Sequence, residues 1–552
     1  FWKYYKKFAD YVARLSYIFS HGNHIADVAV LYPIKSMWAS LTPQLTKETE
    51  KIILGFNKTS EALLRIGFDF DYISEEILQQ RALFQRGRIW IMDETCSDVL
   101  EEYKVLVLPT LTMLSWETVE VIEDYLAEDG KVIALGSLPH TSFEAGEDSE
   151  LLNRLSFLFG VEPEEAKLNP EGIEKKIYRK KHEKGEAIFI RGAHDLPQEE
   201  LEKELFSILR EIIEPDILLL EGDKPARDIV ALHYMKAERS FYLFVNTSRE
   251  KSVSFRAELS EGGIPLVWNA ENGKLEPFPF KWQEKKGKTI LDITLPPNNS
   301  LLISLEEELP QELMPKEKNT FSYEESVFLQ EKWQFKTAKP NALPLRNWQY
   351  EMSSKVTGRD HDTYLHIYKT SFRVEDIPEK ARLIMDGGLD EPIWRGSARK
   401  HIEVLINGEQ VKNWEPDDYL DRFMFSADVS SLLKEGVNEI EIRCVAGLYE
   451  PVNLAHPPIL IGNFALKRKD EGWVITREPG EARVGECWTT FGYPFYSGIA
   501  TYSQKIHIGK PEGKNVVVKL EKVGELAGIK VNGELVDVRL WEPFEVDITN
   551  FV

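Results

Sequence analysis

The chain has 552 residues, with 91 acidic and 68 basic side chains and a formal charge of −23. Hydrophobic residues make up 43% and charged residues 29%, a balance typical of folded globular domains, and the length predicts three or four domains of roughly 100–200 residues each. So acidic a surface repels phosphate backbones and anionic lipid, which excludes nucleic acid and membrane surfaces as expected partners.

Residues 1–25 begin with an amphipathic helix. Its large apolar side chains recur every three or four residues, which places them on one helical face. A helix with such a face and nothing before it has no partner of its own, so we expect a larger domain that lies mostly upstream. The side chains of this stripe are Trp2, Tyr5, Phe8, Val12, Leu15 and Phe19.

Residues 26–222 alternate between apolar strands and amphipathic helices. Lys104–Leu108 and Lys131–Leu135 are apolar strands on either side of the helix Trp116–Glu128. Two such strands around one helix form a βαβ unit, so a doubly wound α/β domain with a parallel sheet is predicted. The other predicted elements are the strands Ala26–Tyr32, Phe70–Ile73 and Ala187–Ile190, and the helices Glu48–Ile66 and Gln198–Ile213.

After residue 222 the apolar period changes to two. Short strands separated by Asn, Gly and Pro turns predict a small antiparallel β-sandwich over residues 223–308. Residues 309–328 are rich in Glu, Pro and Lys without periodicity and are interpreted as a linker. The predicted strands are Ile229–His233, Phe241–Val245, Val253–Ala257, Leu266–Trp268 and Ile290–Thr294.

An internal repeat organises the last part of the chain. Val404–Glu409 recurs as Ile529–Glu534, and each copy contains an Asn-Gly pair that suits a tight hairpin turn. Two copies predict two related sandwiches of the jelly-roll type, over residues 329–470 and 471–552. The second copy stops before its equivalent of the strand Glu439–Val445, so it is expected to be incomplete. The whole fold is therefore predicted to be multidomain, α/β followed by three β-sandwiches.

The α/β domain could carry a nucleophilic Cys at a strand-to-helix elbow, as amidotransferases do. The two candidate elbows, Leu108–Thr112 and Leu135–Pro139, contain no Cys, and Cys96 lies in a loop without a nearby His. Ser137 lacks the second glycine of a G-x-S-x-G elbow, and phosphate-binding glycine motifs are absent. A non-catalytic α/β domain is the favoured interpretation.

His21 and His24 are three residues apart near the end of the first helix. They could bind a metal, but no Cys or carboxylate at ligand spacing joins them, so a helix-end pair is favoured. Cys96, Cys444 and Cys487 fit neither a disulfide framework nor a zinc site. We therefore expect no metal or cofactor in this chain. The same cysteines slightly favour a bacterial cytoplasm over a secreted location.

Two segments combine residue types that suit sugar hydroxyls and pyranose faces. In the first, Asp386, Asp390 and Glu391 flank Trp394 and Arg395, although solvated loop charge beside a packed Trp is the commoner cause of such a pattern. The second is the aromatic run from Trp488 to Gly498, whose rings could be sugar platforms or could fill a junction between sandwiches. Its candidate carbohydrate-binding residues are Trp488, Tyr493, Phe495 and Tyr496, and Phe491 is the other candidate for junction packing.

The order of these parts resembles the C-terminal region of large glycoside hydrolases similar to the family 106 α-L-rhamnosidases. The later sandwiches are similar to the galactose-binding-like domain of family 2 β-glycosidases, and the α/β domain is similar to the amidotransferase-like domain that serves assembly in family 42 β-galactosidases. The motifs that carry the resemblance are Gly22–Pro33, Trp268–Gly273, Gly492–Gly498, Val531–Glu534 and Asp547–Val552.

The resemblance implies that residues 1–25 are the terminal helix of a catalytic barrel of the same polypeptide. In those families the catalytic carboxylates lie at the ends of barrel strands, which are not visible here, so no catalytic residue is assigned. A calcium ion could assist in that barrel. The chain is thus expected to be the accessory half of a glycosidase that acts on an oligosaccharide or glycoside and could form a homo-oligomer. The alternative is a non-catalytic carbohydrate-binding or adhesive protein.

Overall fold

The computed structural model describes residues 2–168, 174–283, 287–309, 326–353, 363–386, 401–422, 424–447, 456–469, 472–483, 485–509 and 514–552. The chain divides into two compact units. The larger unit contains residues 2–320 together with 511–552, and the smaller unit contains residues 321–510. No helix among the described residues is long and apolar enough to cross a membrane.

Helix α1 (Tyr5–Ile18) opens the larger unit and is followed by strand β1 (Asn23–Ile25). The C-terminal part of the helix is buried, because Ile18 packs with Phe241 and Leu302 of the small sandwich. Toward its N-terminus Phe8 and Val12 stay exposed. The predicted apolar stripe thus has a partner inside the unit over its last two turns.

The α/β domain follows. Its helices are α2 (Ile34–Ser40), α3 (Lys47–Arg65), α4 (Glu75–Arg81), α5 (Trp116–Ala127), α6 (Ser149–Phe159), α7 (Pro163–Ala166) and α8 (Gln198–Ile212). Its strands are β2 (Val28–Leu31), β3 (Phe70–Ile73), β4 (Ala82–Gln85), β5 (Arg88–Met92), β6 (Val99–Tyr103), β7 (Val105–Leu108), β8 (Met113–Leu114), β9 (Lys131–Gly136), β10 (Thr141–Ser142), β11 (Gly146–Glu147), β12 (Lys176–Lys181) and β13 (Glu186–Arg191).

Six of these strands form the main sheet in the order β12-β13-β9-β7-β2-β3. All neighbours from β13 to β3 are parallel, and β12 is an antiparallel edge. Strand β7 is buried along its whole length because helices cover both faces of the sheet. Helices α3 and α8 pack in one core cluster and α5 and α6 in another, which is the doubly wound arrangement that the apolar runs predict.

The small sandwich contains two antiparallel sheets. Its strands are β14 (Ile217–Glu221), β15 (Lys224–Pro225), β16 (Ile229–Lys236), β17 (Arg239–Asn246), β18 (Val253–Leu259), β19 (Ile264–Trp268), β20 (Leu275–Pro277), β21 (Lys281–Gln283), β22 (Lys288–Leu295) and β23 (Ser300–Glu306). One sheet has the order β1-β16-β17-β23-β19-β20 and the other β15-β14-β18-β22-β21.

Two boundaries of this sandwich differ from those predicted. Strand β14 pairs with β18, so the sandwich begins before residue 223, and the apolar run at 217–221 does not complete the parallel sheet. Strand β1 pairs with β16, so residues 23–25 extend the sandwich instead of ending a helix. Both differences arise from pairing over long sequence distances, which a local apolar pattern does not encode.

The smaller unit is a β-sandwich with an additional small sheet. Its strands are β24 (Lys332–Thr337), β25 (Asn341–Pro344), β26 (Gln349–Met352), β27 (Thr363–Val374), β28 (Ala381–Asp386), β29 (His401–Ile406), β30 (Glu409–Gln410), β31 (Glu415–Asp417), β32 (Met424–Asp428), β33 (Gly436–Gly447), β34 (Ile459–Gly462), β35 (Ala465–Lys469), β36 (Gly472–Thr476), β37 (Glu481–Arg483) and β38 (Ala500–Ser503). The main sheets are β25-β34-β28-β32-β31 and β30-β29-β33-β27-β36-β35, with β26 beside β27.

The boundary predicted at residue 470 falls inside this sandwich, because β35 and β36 are paired and β36 also pairs with β27. Strand β38 pairs with β24. The predicted linker residues 310–325 lie outside the described residues. Residues 471–509 therefore complete the preceding sandwich, and do not begin a separate one.

The last described segment, residues 514–552, belongs to the larger unit. It has four short strands, β39 (Val517–Lys519), β40 (Ala527–Val531), β41 (Glu534–Arg539) and β42 (Glu545–Asp547), in two two-stranded sheets. The repeated Asn-Gly turns are present in both units, with positive φ at Asn407 (53°), Gly408 (86°), Asn532 (52°) and Gly533 (89°). These turns confirm the hairpin prediction for the repeat.

Candidate functional site

The first predicted sugar-contact loop begins at the end of β28. Asp386, the last residue of that strand, is half-buried and pairs with Met424 of β32. Asp390, Glu391, Trp394 and Arg395 lie outside the described residues. Carbohydrate contact by this loop stays a prediction.

The second predicted sugar site, the aromatic run at 488–498, packs inside the smaller unit. Tyr493 and Tyr496 are buried with Phe335 of β24. The Tyr496 hydroxyl donates to Ile499 O at 2.8 Å and accepts the Ala338 amide at 3.2 Å, so it is used in packing the segment. These two rings fill the interior of the unit and offer no surface platform.

The remaining rings of this run are half-buried and pack against the core. Phe495 contacts Trp473 edge-on, with ring centroids 5.4 Å apart, and borders the sandwich core. Gly492 has φ +122°, and a Cβ there would lie 2.7 Å from the Cβ of Ala465, which explains a glycine at the start of Gly-Tyr-Pro-Phe-Tyr. Trp488 is half-buried and contacts Tyr496 edge-on, with ring centroids 5.9 Å apart, and its role as a sugar contact stays a prediction.

In the larger unit, the carboxyl ends of the parallel strands are the usual ligand crevice of an α/β sheet. Here they are filled. A Cβ on Gly136, which is the last residue of β9 and has φ +85°, would lie 2.3 Å from Thr110 Oγ1 and 2.5 Å from His194 Nδ1. A Cβ on Gly55 of α3 would lie 2.1 Å from Thr110 Oγ1. Neither elbow considered from the sequence leaves room for a substrate, since Thr110 and Ser137 are both buried.

His194 illustrates how tightly these strand ends are closed. Its ring is buried, and burial lowers the pKa of His194 to about 4, an effect that nearby Asp195 opposes. Lys51 and Lys58 lower this pKa further through their positive charges. His194 is therefore neutral at neutral pH and packs beside Thr110 as a filler of the sheet end.

The most perturbed group of titratable side chains surrounds His24. His24 Nε2 lies 2.7 Å from Asp69 Oδ2, and its Nδ1 lies 3.1 Å from Asp71 Oδ1. The Tyr103 hydroxyl donates to Asp71 Oδ2 at 3.1 Å, and the Glu101 carboxyl lies near Asp71. We name these five residues the His24 cluster.

The strands explain why the His24 cluster assembles. Asp69 and Asp71 are two residues apart at β3, and Glu101 and Tyr103 are two residues apart on β6, so each pair projects from one face of its strand. His24 is the central residue of β1. The helix-end interpretation of His24 is thus wrong, because α1 ends at Ile18 and partners 45 and 47 residues away hold the ring.

Burial and charge set the protonation states in the His24 cluster. Burial alone would lower the pKa of His24, but the hydrogen bonds to Asp69 and Asp71 and their charges outweigh it and raise the pKa to about 10. Burial, together with the charge of Asp71, raises the pKa of Glu101 to about 7, although His24 acts in the opposite direction. Burial and the charges of Asp71 and Glu101 raise the pKa of Tyr103 as well.

A shallow cleft lies where α1 meets the C-terminal segment. It is lined by Lys7, Glu271, Leu540 and Trp541. The Glu271 carboxylate accepts the Trp541 indole N–H at 2.5 Å and an Arg539 N–H at 3.2 Å. The Glu271 carboxylate is therefore already engaged within the protein, and the cleft anchors the C-terminal segment.

Within the described ranges, no group of three or more His, Cys, Asp or Glu side chains is arranged to hold a metal ion.

This anchor makes a testable contribution to stability. We expect Trp541→Ala to lower the free energy of unfolding by about 2 kcal/mol, because the edge-on ring contact with Tyr11 and the hydrogen bond to Glu271 are both lost. Urea unfolding measures the change. Trp38→Ala is the control, since Trp38 is 66% exposed, and it should stay within about 0.5 kcal/mol of wild type. Equal losses in the two variants would contradict the anchor.

The family model for α-L-rhamnosidases of glycoside hydrolase family 106 matches residues 1–282, just over half of the chain. The chain belongs to family 106. The matched part of this family 106 chain covers α1, the α/β domain and most of the small sandwich, including the His24 cluster.

Individual proteins similar to this family 106 chain are longer than it is. A curated protein of Formosa agariphila with the provisional name β-glucuronidase is 25% identical over 437 residues, which are 74% of this chain and 30% of that protein. The rhamnosidase structure from Novosphingobium sp. PP1Y is 17% identical at a TM-score of 0.38 and covers 82% of this chain and 40% of that one. A β-galactosidase structure from Bacillus circulans sp. alkalophilus has a TM-score of 0.33 at 14% identity and covers 52% and 42%.

Proposed function

We propose that this chain is the accessory part of a family 106 glycoside hydrolase, that it supports a catalytic barrel of the same polypeptide, and that the complete enzyme releases a terminal rhamnose. The match to the α-L-rhamnosidase family supports the sugar and the reaction. The chain spans only 30% and 40% of the two relatives named first, which leaves room in such proteins for a separate catalytic domain.

The observation that carries the accessory role is the closed end of the parallel sheet. Gly55, Thr110, Gly136 and His194 occupy the crevice in which α/β domains bind ligands. Glycosidic hydrolysis requires two carboxylates on either side of the scissile bond, with room for a sugar ring between them. A sheet end filled by packed side chains does not provide that room, so the α/β domain is a scaffold in this proposal.

In this proposal the chain also contributes carbohydrate contacts at the rim of the catalytic site. The acidic residues that follow Asp386 in the sequence and the half-buried Trp488 supply acids and an indole, which suit sugar hydroxyls and pyranose faces. Their contribution would be to substrate binding, and bond cleavage would belong to the barrel.

The test is hydrolysis of aryl glycosides by the 552-residue chain and by the protein at its full natural length. The panel contains an α-L-rhamnoside, a β-galactoside and a β-glucuronide. We expect turnover of the α-L-rhamnoside by the full-length protein alone. Turnover by the 552-residue chain would overturn the accessory role and direct attention to Asp386, Asp390 and Glu391. If neither protein cleaves any substrate, the binding or adhesive alternative replaces the proposal.

A further inference from the structure

We propose that the His24 cluster is a pH-sensitive latch that fastens strand β1 to the edge of the parallel sheet and loosens as the pH rises through neutrality. Strand β1 belongs to the small sandwich through its pairing with β16, whereas Asp69 and Asp71 belong to the α/β domain. The latch thus joins the small sandwich to the α/β domain within the larger unit.

The contacts of the latch are polar and partly withdrawn from water. The side chains of His24 and Asp69 are 21% and 20% exposed, and that of Asp71 is 33% exposed. Each ring nitrogen of His24 faces a carboxylate. The protonated ring therefore donates one hydrogen bond to Asp69 and one to Asp71. Charge-assisted hydrogen bonds of this kind are about twice as strong as neutral ones.

Glu101 is the member of the latch that changes charge near neutral pH. It lies on β6, which faces β1, and the pKa of its carboxyl is raised to about 7 by burial and by Asp71, against the influence of His24. The charged and titratable groups facing it are His24 from β1, Asp71 from β3 and Tyr103 from its own strand. When Glu101 ionises, one imidazolium must balance three carboxylates instead of two, and the contacts between the strands weaken.

The sign of the effect follows from linkage. The pKa of Glu101 is raised on folding from its ordinary 4.5 to about 7, so folding becomes less favourable as the pH rises between these values. The pKa of His24 is also raised, from 6.5 to about 10, so its stabilising contribution is complete below 6.5 and is lost as the pH rises through 10. Both groups therefore stabilise the latch more at low pH than at high pH.

The experiment compares Glu101→Gln with wild type by thermal unfolding of the 552-residue chain at about pH 4.5 and about pH 8.0. Glutamine cannot ionise, so the variant should melt about 3 °C higher than wild type at the upper pH and close to wild type at the lower one. The protection factors of the β1 and β6 amides, which correct for base-catalysed intrinsic exchange, should fall with pH in wild type and stay more constant in the variant. That local readout separates the latch from a general effect of pH.

The matched control is Glu102→Gln on the same strand, whose carboxylate pairs with Arg88 at the surface. It should keep the wild-type dependence on pH. Asp71→Asn removes a negative charge that raises the pKa of Glu101, so the loss of stability of this variant with rising pH should begin at a lower pH than in wild type. This variant is the second test if Glu101→Gln does not fold. The latch is rejected if the melting temperature of Glu101→Gln depends on pH as strongly as that of wild type. It is also rejected if Glu102→Gln weakens this dependence on pH by the same amount.

Discussion

Gly55→Ala is expected to destabilise the larger unit by about 3 kcal/mol or more, although alanine normally favours a helix interior by about 1 kcal/mol over glycine. Gly55 is buried in α3, and an added Cβ would lie 2.1 Å from Thr110 Oγ1 and 2.6 Å from Thr110 Cβ. The Thr110 side chain cannot yield, because it is itself buried between α3, Gly136 and His194. Denaturant unfolding measures the loss.

Leu54→Ala is the control for this prediction. Leu54 is the preceding residue of α3 and is 41% exposed, so its replacement should change the stability by less than about 1 kcal/mol. If Gly55→Ala is as stable as wild type, the conclusion that packed side chains fill the carboxyl end of the sheet is wrong, and the crevice has space for a ligand. The accessory role would then lose its main support.

Asp216→Ala is expected to cost about 3 kcal/mol, because it leaves the hydrogen-bond donors of His233 and Ser260 without their acceptor at a largely buried position. Asp216 precedes β14 and accepts hydrogen bonds from His233 Nδ1 and Ser260 Oγ, both at 2.7 Å. Its amide donates to Asp27 Oδ2 at 2.7 Å, so it joins the α/β domain to the small sandwich. Its loss leaves a buried His233 without its carboxylate.

The dependence on pH adds a second signature to Asp216. Burial would raise the pKa of Asp216, but His233 and Ser260 outweigh it and lower the pKa below its ordinary 3.8. This carboxylate therefore contributes stability above about pH 4 that is lost as the pH falls further, and the variant should lack that part of acid unfolding. Asp228→Ala, at the surface beside Lys251, is the control and should cost less than about 1 kcal/mol. Equal losses from the two variants would contradict the role of Asp216.

The parts of the fold that the sequence predicts are those specified by local patterns. The apolar strand Val105–Leu108 and the helix Trp116–Ala127 lie within one or two residues of their predicted bounds, because burial on one or both faces imposes a period that can be read along the chain. The two Asn-Gly turns are predicted for a similar reason, since positive φ at consecutive residues restricts the choice of side chain.

The parts that could not be predicted depend on partners distant in sequence. His24 is held by carboxylates 45 and 47 residues away, and no local pattern links those positions. An apolar run such as Ile217–Glu221 suits either a parallel sheet or a sandwich, and only its pairing with β18 decides between them. Aromatic rings such as Tyr493 suit a core as well as a sugar surface, so composition alone does not separate packing from recognition.

The assignment of residues 511–552 to the larger unit makes the order of the chain nested, since the smaller unit is an insertion between two parts of one folded body. A truncation after residue 320 therefore removes Arg539 and Trp541, which hold Glu271 and border α1, as well as the inserted sandwich. Excision of the insertion keeps both parts of the host. For protein engineering, the separable piece of this chain is its middle and not its end.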